Sequence, residues 1–204
     1  MVAILFATTN AHKLAEASAI LEPFGIELRS LGSLAGDYPE PVEDGDTFEA
    51  NAALKARYYA KLTGIRCLAE DSGIEVDALG GAPGVYSARY SGLEGPASAR
   101  DRANNDKLLT ALQGVPAEQR QARFVCAACV ADPEGRVLAE ARGTFEGVIA
   151  DAPRGTNGFG YDPLLYLPDR GCTSAELSSA EKHARSHRGE ALRLLAPQLV
   201  TLAL

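Results

Sequence analysis

Apolar runs and helical periodicities alternate along the start of the chain. Residues 2–7 form a short apolar run, which predicts a buried strand. Residues 11–24 carry apolar side chains at helical spacing, and Gly25 predicts the end of that helix. Residues 26–31 predict a second strand. The chain is therefore expected to open as strand, helix and strand.

A capping signal predicts the next helix. Residues 32–45 are rich in Gly, Pro and acidic residues and are expected to form a loop. The run DTFE (46–49) has capping-box spacing, so a helix is predicted from there to Thr63, closed by Gly64. Glu43 lies just before this cap. An acid there commonly balances the helix dipole, so Glu43 stays open between that role and metal ligation.

Two adjacent carboxylates, Glu70 and Asp71, follow the apolar residues 67–69 and precede Ser72-Gly73. Acidic residues are poor strand formers and are rarely buried unless they are paired or bind metal. We therefore expect a strand to end here, where the chain turns through Ser-Gly, and the pair to hold a hard cation. The alternation over residues 74–78 predicts a further, half-exposed strand, with Gly and Pro turn signals behind it.

One helix and one hairpin are predicted in the middle of the chain. Residues 97–113 have a helical pattern with the pair Asn104-Asn105 inside it, which is unusual because Asn competes for backbone hydrogen bonds. Residues 123–131 and 136–149 flank DPEG (132–135), which predicts two strands joined by a tight turn.

The last quarter of the chain contains a Gly-rich loop and a terminal helix. RGTNGFGYDP (154–163) carries two aromatic residues and an acid, and such loops let a ligand approach the backbone, although a structural turn is the commoner explanation. Capping-box spacing recurs at residues 173–176. Residues 191–204 are apolar at helical spacing and predict the final helix.

Composition narrows the possible functions. A chain of 204 residues allows one domain or two closely joined lobes. A net charge of −7 argues against a nucleic acid polymer as partner, but not against a small phosphate ester bound with Mg²⁺, since the metal supplies local positive charge. No apolar run approaches the length of a membrane span, and no signal peptide is recognisable, so a cytoplasmic location is expected.

The cysteines predict neither a zinc site nor disulfides. Of the four, only Cys126 and Cys129 have C-x-x-C spacing, and they lie in the apolar run FVCAACV. Because no second pair completes a metal site, core thiols are predicted there. Disulfides are not expected in a reducing compartment.

The turn after the first predicted strand suits a phosphate. Thr8, Thr9 and Asn10 join that strand to the helix, Asn10 fits the N-cap position, and Lys13 projects from the first helical turn. Backbone N–H groups at such a helix start bind anions. The same spacing is typical of ordinary helix caps, so both interpretations remain open.

Taken together, eight segments resemble the inosine triphosphate pyrophosphatase family, which hydrolyses non-standard purine nucleoside triphosphates. They cover most of the chain in the right order, and the long central segment is the most specific. The segments are ATTNAHK (7–13), EDGDTFEANAALKAR (43–57), AEDSGIEVDALGGAPGVYSARYSG (69–92), NNDKLL (104–109), RGTNGFGYDPL (154–164), TSAEL (173–177), Lys182 and SHRGEAL (186–192).

The resemblance implies an α/β fold with two lobes around a long curved mixed β-sheet, flanking helices and a nucleotide cleft between the lobes. Residues 1–204 would form one pyrophosphatase domain, usually found as a homodimer. The implied reaction is hydrolysis of ITP, dITP or XTP to the nucleoside monophosphate and pyrophosphate, with Mg²⁺ as cofactor. No nucleic acid polymer or membrane is implied as partner.

The resemblance also implies a role for each matching residue. The triphosphate would contact Thr8, Thr9, Asn10, Ala11, His12, Lys13 and Lys55. The metal would be held by Glu43, Glu70 and Asp71, and Asp71 would also accept the proton. The nucleotide would be held by Ser72, Phe159, Gly160, Tyr161, Asp162, Lys182, His187 and Arg188. Two positions depart from the family: Glu70 stands where Asp is more common, and His12 stands where many relatives have Gly.

Hydrogen-bond donors would account for selection of the base. Inosine and xanthosine bases carry a 6-carbonyl acceptor where adenine carries an amino group. Arg188 or a donating His187 would therefore bond to that carbonyl, whereas the amino group of adenine would stay unpaired. Phe159 or Tyr161 could stack on the base, or else pack the loop. Guanine also has the 6-carbonyl, and nothing in the sequence explains its rejection.

Two other functions share part of this pattern. A pyrophosphatase for pyrimidine or modified standard nucleotides would share the phosphate and metal groups, but the SHRG and FGYD segments argue against it. A nucleotide-binding regulator without catalysis would not need Lys13, Lys55, Glu43 and Asp71 together. No G-x-x-x-x-G-K-[ST] run is present, so a P-loop is excluded.

Overall fold

The computed structural model describes residues 2–201, apart from the side chains of Val2 and His12. The chain forms seven strands there: β1 (Val2–Phe6), β2 (Ile26–Ser30), β3 (Cys67–Val76), β4 (Gln121–Ala131), β5 (Val137–Ile149), β6 (Leu165–Leu167) and β7 (Cys172–Thr173). It also forms five α-helices: α1 (Ala11–Leu21), α2 (Phe48–Thr63), α3 (Ala97–Ala111), α4 (Ser179–Arg185) and α5 (His187–Thr201).

The strands form one mixed sheet in the order β2-β1-β3-β4-β5-β6-β7. β1 pairs in parallel with β2 and with β3, whereas β6 pairs antiparallel with both β5 and β7. A parallel pair needs a crossover connection, and α1 joins β1 to β2 in this way. The predicted α/β class with a mixed sheet and flanking helices is confirmed.

The residues that predict the ends of α1 and α2 lie at or near the observed ends of these helices. α1 ends at Leu21, followed by one 3₁₀ turn and then by Gly25 in the left-handed conformation with φ of 73°. α2 begins one residue later than the capping-box spacing predicts, because the Thr47 hydroxyl accepts the Ala50 N–H at 3.1 Å. It ends at Gly64, whose φ of 69° is left-handed.

The predicted end of a strand before Ser72-Gly73 is wrong. β3 continues through this dipeptide, so Glu70 and Asp71 lie in the middle of a ten-residue strand. Gly73 is needed for close packing and not for a turn: a Cβ there would overlap the Ser87 hydroxyl and lie 2.7 Å from the Gly84 carbonyl oxygen. Since successive side chains of a strand point to opposite faces, the two carboxylates are directed into different surroundings.

The hairpin is confirmed, and the end of the chain differs in detail from the prediction. β4 and β5 are joined by the turn at 132–135, where Gly135 N–H donates to the Asp132 carbonyl. The capping box at 173–176 is present, but it caps a single 3₁₀ turn. α5 begins at His187, four residues before the predicted start, and residues 202–204 of the predicted helix lie outside the described part of the chain.

Two compact units divide the chain. The first contains Met1–Asp71, Cys126–Gly143 and His187–Leu204, and the second contains Ser72–Val125 and Thr144–Ser186. The first has a core that includes Phe6, Leu21, Leu68, Leu192 and Leu195. The second has its own core, which includes Ile74, Leu108, Phe145, Tyr161 and Leu164.

Two further features bear on the composition arguments. Cys126 and Cys129 are free and buried in β4, as predicted for core thiols. Within residues 2–201, no helix combines the length and the apolar character that crossing a membrane requires.

Candidate active site

The turn between β1 and α1 has the predicted cap. The Asn10 side-chain oxygen accepts the Lys13 N–H at 3.2 Å, so Asn10 is the N-cap of α1. The Thr8 hydroxyl accepts the Asn10 N–H at 3.2 Å and tightens the turn. Thr9, Asn10 and Ala11 are exposed. The helix start is therefore both an ordinary cap and an accessible place for an anion.

A cavity of about 200 Å³ lies at this turn, within the first unit. Seven of its lining residues are among those predicted for the phosphate and the metal: Thr8, Thr9, Asn10, Lys13, Glu43, Lys55 and Glu70. The remaining lining residues are Ala7, Leu31, Glu40, Pro41 and Tyr59. The fold thus brings together residues that are far apart in the sequence, in a cavity with cationic and anionic walls.

Lys55 joins two of the predicted metal-binding carboxylates. Its Nζ lies 2.9 Å from a Glu43 oxygen and 3.1 Å from a carboxylate oxygen of Asp71. The other Asp71 oxygen accepts the Asn51 side-chain amide at 3.2 Å. Asn51 and Lys55 are one helical turn apart on α2, so a single helix face holds both oxygens of Asp71.

Burial shifts the protonation of this pair. Burial raises the pKa of Asp71, and the attraction of Lys55 offsets only part of that effect. Burial alone would lower the pKa of Lys55, but Asp71 and Glu43 outweigh it and raise that pKa above its usual value. Lys55 therefore stays charged near neutral pH, and Asp71 is a stronger base than an exposed aspartate.

Glu70 belongs to a buried ion cluster on the opposite face of β3. Both of its oxygens accept from the Arg188 guanidinium at 2.8–3.0 Å, and Lys13 Nζ lies 3.1 Å from one of them. Arg188 also donates to Glu16. Burial would raise the pKa of Glu70, but Arg188 and Lys13 outweigh it and hold that pKa well below its usual range. Glu70 is therefore an ionised anchor for Lys13.

Of the three carboxylates predicted to bind the metal, Glu43 and Asp71 are the two brought together for a shared divalent cation, through their common contact with Lys55. Glu43 and Asp71 both contact the ammonium of Lys55, so their oxygens already surround a positive charge. Hard oxygen ligands of this kind are the ones that Mg²⁺ prefers. In the described part of the chain, no group of three or more His, Cys, Asp or Glu side chains is arranged to hold a metal. A metal here would need phosphate oxygens to complete its coordination.

The predicted nucleoside-binding loop belongs to the second unit. The Phe159 ring is 46% exposed, whereas Tyr161 is buried and its hydroxyl donates to the Ser87 carbonyl at 2.8 Å. Of the two rings suggested for stacking, Phe159 is the accessible one. Lys182 Nζ lies 5.2 Å from the centre of that ring and donates to Asp162.

Asp162 is an internal anchor of this loop. It is buried, and one of its oxygens accepts both the Phe159 N–H at 2.8 Å and the Lys182 ammonium. The other oxygen accepts the Ser174 hydroxyl at 2.7 Å. A carboxylate with both oxygens bonded in this way fixes the conformation of the loop.

The other predicted residues lie in varied surroundings. Ser72 is half-buried in β3, and His187 is buried at the first position of α5. The side chain of His12 lies outside the described atoms. The roles predicted for these residues, and for Arg188 in reading the base, stay predictions.

Sequence reasoning missed Asn51, although it lies inside a segment that carries the resemblance. Asn51 is buried, its oxygen accepts the Gly45 N–H at 2.8 Å, and its amide donates to Asp71. The available signal was its position four residues before Lys55, which puts both side chains on one helix face.

The chain is similar to known proteins over nearly its whole length. The model of the Ham1 family matches residues 4–198. A dITP/XTP pyrophosphatase of Geobacter sulfurreducens is 50% identical over 199 residues, which are 98% of this chain and 97% of that protein. One from Nitratidesulfovibrio vulgaris is 53% identical over 195 residues, covering 94% of this chain and 93% of that protein.

A solved structure supports the same conclusion. The structure of a HAM1 protein from Coxiella burnetii has a TM-score of 0.88 to this chain, at 40% identity, and covers 98% of this chain and 100% of that one. These matches extend over nearly the full length of both chains and confirm the resemblance inferred from the motifs. The chain belongs to the Ham1 family.

Proposed function

We propose that this protein hydrolyses non-standard purine nucleoside triphosphates, namely ITP, dITP and XTP, to the nucleoside monophosphate and pyrophosphate. The observation that carries the proposal is one cavity at the start of α1 that is lined by Lys13 and Lys55, with Glu43 and Asp71 bound to Lys55. The name of the two bacterial relatives, dITP/XTP pyrophosphatase, supports the same reaction and its substrates.

The first unit supplies the groups for the triphosphate. Lys13 is fixed by Glu70, and Lys55 by Glu43 and Asp71, so both ammonium groups are positioned before a substrate arrives. With the exposed start of α1, they would bind the phosphates and offset the charge that develops on the pyrophosphate leaving group. Preorganised cations of this kind do not have to reorient during the reaction.

Asp71 is assigned as the general base. Hydrolysis of a phosphoanhydride needs an oriented water and charge neutralisation more than covalent chemistry. The raised pKa of Asp71 makes it a better proton acceptor than an exposed aspartate, and the contact with Lys55 favours its ionised form. The Asn51 amide and the Lys55 ammonium hold its two oxygens and so define where the accepting lone pairs point.

Mg²⁺ is the proposed cofactor, with Glu43 and Asp71 as its protein ligands. When bound, it would polarise the phosphate and orient the attacking water. Glu70, the third ligand implied by the resemblance, is assigned instead to fixing Lys13, because it pairs with two cations, Lys13 and Arg188. Glu43 and Asp71 share the single positive charge of Lys55 and so keep a net negative charge for a metal. We further propose a single pyrophosphatase domain over residues 1–204, a homodimer and a cytoplasmic location.

The decisive experiment is a substrate panel with product identification. Purified protein with Mg²⁺ is expected to release pyrophosphate from ITP, dITP and XTP much faster than from ATP, GTP, CTP or UTP. Pyrophosphate and orthophosphate are measured separately in each reaction. Orthophosphate as the first product would contradict cleavage between the α- and β-phosphates.

The same panel separates the alternatives. A preference for a pyrimidine triphosphate would keep the phosphate chemistry but reject the purine assignment. Nucleotide binding without any product would favour a regulatory module. Equal rates on all purine triphosphates would reject the proposed selectivity.

A further inference from the structure

Helix α3 holds the Gly-rich loop of the second unit through both polar backbone groups of one residue, Gly160. The Asp101 carboxylate accepts the Gly160 N–H at 2.9 Å, and the Asn105 amide donates to the Gly160 carbonyl at 3.1 Å. Asp101 and Asn105 are four residues apart, so they project from the same face of α3. Both polar groups of Gly160 are thus bound by side chains of one helix.

The exposed ring of Phe159 lies between two fixed peptides as a result. Its own N–H donates to Asp162 at 2.8 Å, and the next N–H in the chain is the one bound by Asp101. Gly158 and Gly160 flank the ring, both in the left-handed conformation, with φ of 78° and 62°. Glycines lose more conformational freedom on ordering than other residues, so this segment would be mobile without such anchors.

The neighbouring Asn104 explains why the helix carries two adjacent asparagines. Its amide donates to the carbonyls of Ser87 and Ala88, and its oxygen accepts the Ser91 N–H at 2.7 Å. The Tyr161 hydroxyl donates to the same Ser87 carbonyl. Asn104 therefore holds the segment at 87–91, while Asn105 holds the Gly-rich loop.

We propose that Asp101 and Asn105 are positioning residues for base recognition, which fix the Phe159 ring in the orientation that stacks on the purine. This inference rests on the proposed function, because it takes the loop at 159–162 as the part that contacts the nucleoside. The two residues act through Gly160 and do not touch the substrate. Ordering the loop in advance removes an entropic cost from nucleotide binding.

Two near-isosteric variants have opposite expected outcomes. Asp101→Asn keeps an oxygen that accepts the Gly160 N–H, so it should recover most of the affinity lost in Asp101→Ala. Asn105→Asp replaces the donor with a carboxylate, which cannot bond the Gly160 carbonyl. We expect Asn105→Asp and Asp101→Ala to raise KM for ITP by roughly tenfold, since a hydrogen bond of this kind is lost.

The test separates the base from the phosphates. KM and kcat are measured on ITP, and inorganic tripolyphosphate is used as a competitive inhibitor that has no base. In Asn105→Asp and Asp101→Ala, we expect the inhibition constant of tripolyphosphate and the kcat on ITP to change by less than about threefold. The reason is that these variants weaken binding of the base equally in the ground state and in the transition state. Asp106→Ala is the matched control, since Asp106 is an exposed acid on the same helix.

The outcomes are distinguishable. Equal weakening of ITP and tripolyphosphate binding, with a lowered Tm, would show a merely structural role and overturn the proposal. KM values equal to that of Asp106→Ala would overturn it as well. If the wild-type protein does not hydrolyse ITP at all, the proposed function fails and this inference fails with it.

Discussion

Lys55 is the residue on which the proposed chemistry depends most directly. It neutralises Glu43 and Asp71, lines the cavity, and belongs to a helix whose start is fixed by the Thr47 cap. An ammonium between two carboxylates offsets their mutual repulsion. The same ammonium is available to a phosphate when a cation binds the acids.

Replacing Asp71 with Asn tests the general base. The amide keeps the volume of the side chain and can still accept from Lys55, but it cannot take a proton. We expect Asp71→Asn to lose about 10²–10⁴-fold in kcat. Pyrophosphate release from ITP is the measurement, with Tm as the check on folding.

Asp77→Asn is the control for that variant. Asp77 lies just after β3 and pairs with Arg123 on an exposed surface, so its replacement should leave kcat near the wild-type value. Full activity of Asp71→Asn would remove Asp71 from the mechanism.

Replacing Glu70 with Gln tests the buried ion cluster. Arg188 is 1% exposed and is paired with both Glu70 and Glu16. In the variant, Glu16 is the one of these two carboxylates that stays charged. Removing one partner of a buried pair is costly, and the free energy of unfolding should fall by about 3–5 kcal/mol. Urea unfolding at neutral pH is the measurement.

The matched control is Glu49→Gln. Glu49 forms an ion pair with Arg142 in which both side chains are more than two-fifths exposed, so its loss should cost less than about 1 kcal/mol. Equal stability losses in the two variants would mean that burial adds nothing to the cluster around Glu70.

At the level of elements, β3 positions the site by carrying two acids on opposite faces. The strand continues across Ser72-Gly73 because the Ser87 hydroxyl and the Gly84 carbonyl approach where a side chain would otherwise be. The Ser87 hydroxyl also accepts the Ile74 N–H at 2.8 Å. The close approach at Gly73 therefore leaves no room for a side chain at this point of the strand.

Replacing Gly73 with Ala should disturb this packing. The new methyl group would overlap the Ser87 hydroxyl and the Gly84 carbonyl, and we expect a loss of about 1–3 kcal/mol in unfolding free energy. Adding Ser87→Ala should restore only part of it, because the Gly84 carbonyl belongs to the backbone. Thermal and urea unfolding measure both variants.

Gly32→Ala is the control at an open position. The nearest atom to a Cβ there is the Ser30 hydroxyl at 3.8 Å, so the change should stay within about 0.5 kcal/mol. If Gly73→Ala were equally harmless, the close approach at Gly73 would not determine the course of β3.

Elements with local signals could be predicted from the sequence, and elements that depend on distant partners could not. The ends of α1 and α2 follow from Gly25 and Gly64, which act on their own helices. β6 and β7 have three and two residues and exist through their pairing partners, so no periodicity reveals them. The continuation of β3 escaped prediction because the acids in it are balanced by side chains remote in sequence.

The same division holds for the site. The cap at Asn10 and the position of Lys13 are local and were predicted. The bonds from Asn51 to Asp71 and from Gly160 to Asp101 join residues that are far apart in the sequence, so they were not predicted. The resemblance supplied Glu43 and Lys55 by motif. Geometry then showed that they bond to each other.

For the molecule as a whole, the net charge of −7 makes local charge balance important when a polyanionic substrate binds. Each acid predicted to bind the metal already has a cationic partner: Lys55 for Glu43 and Asp71, and Lys13 with Arg188 for Glu70. The fold is therefore not expected to need a divalent cation for its stability.

Removing the metal should separate activity from folding. With excess EDTA we expect pyrophosphate release from ITP to stop, while Tm stays within about 1 °C of its value with Mg²⁺, since a ligand raises Tm only when it binds the folded state appreciably. Mg²⁺ added together with a non-hydrolysable nucleotide should raise Tm. A rise of several degrees with Mg²⁺ alone would indicate a metal site formed by the protein without phosphate.

The division of the chain into interleaved segments has a consequence for its synthesis. The first unit starts with β1 but is completed only by α5, whose Leu192, Leu195 and Leu199 belong to its core. Translation proceeds from the N-terminus, so the residues of the phosphate cavity leave the ribosome long before Arg188, the guanidinium that neutralises Glu70. The last residue of the second unit, Ser186, directly precedes α5. A chain truncated before His187 would therefore contain every segment of the second unit, but it would lack the helix that completes the core of the first.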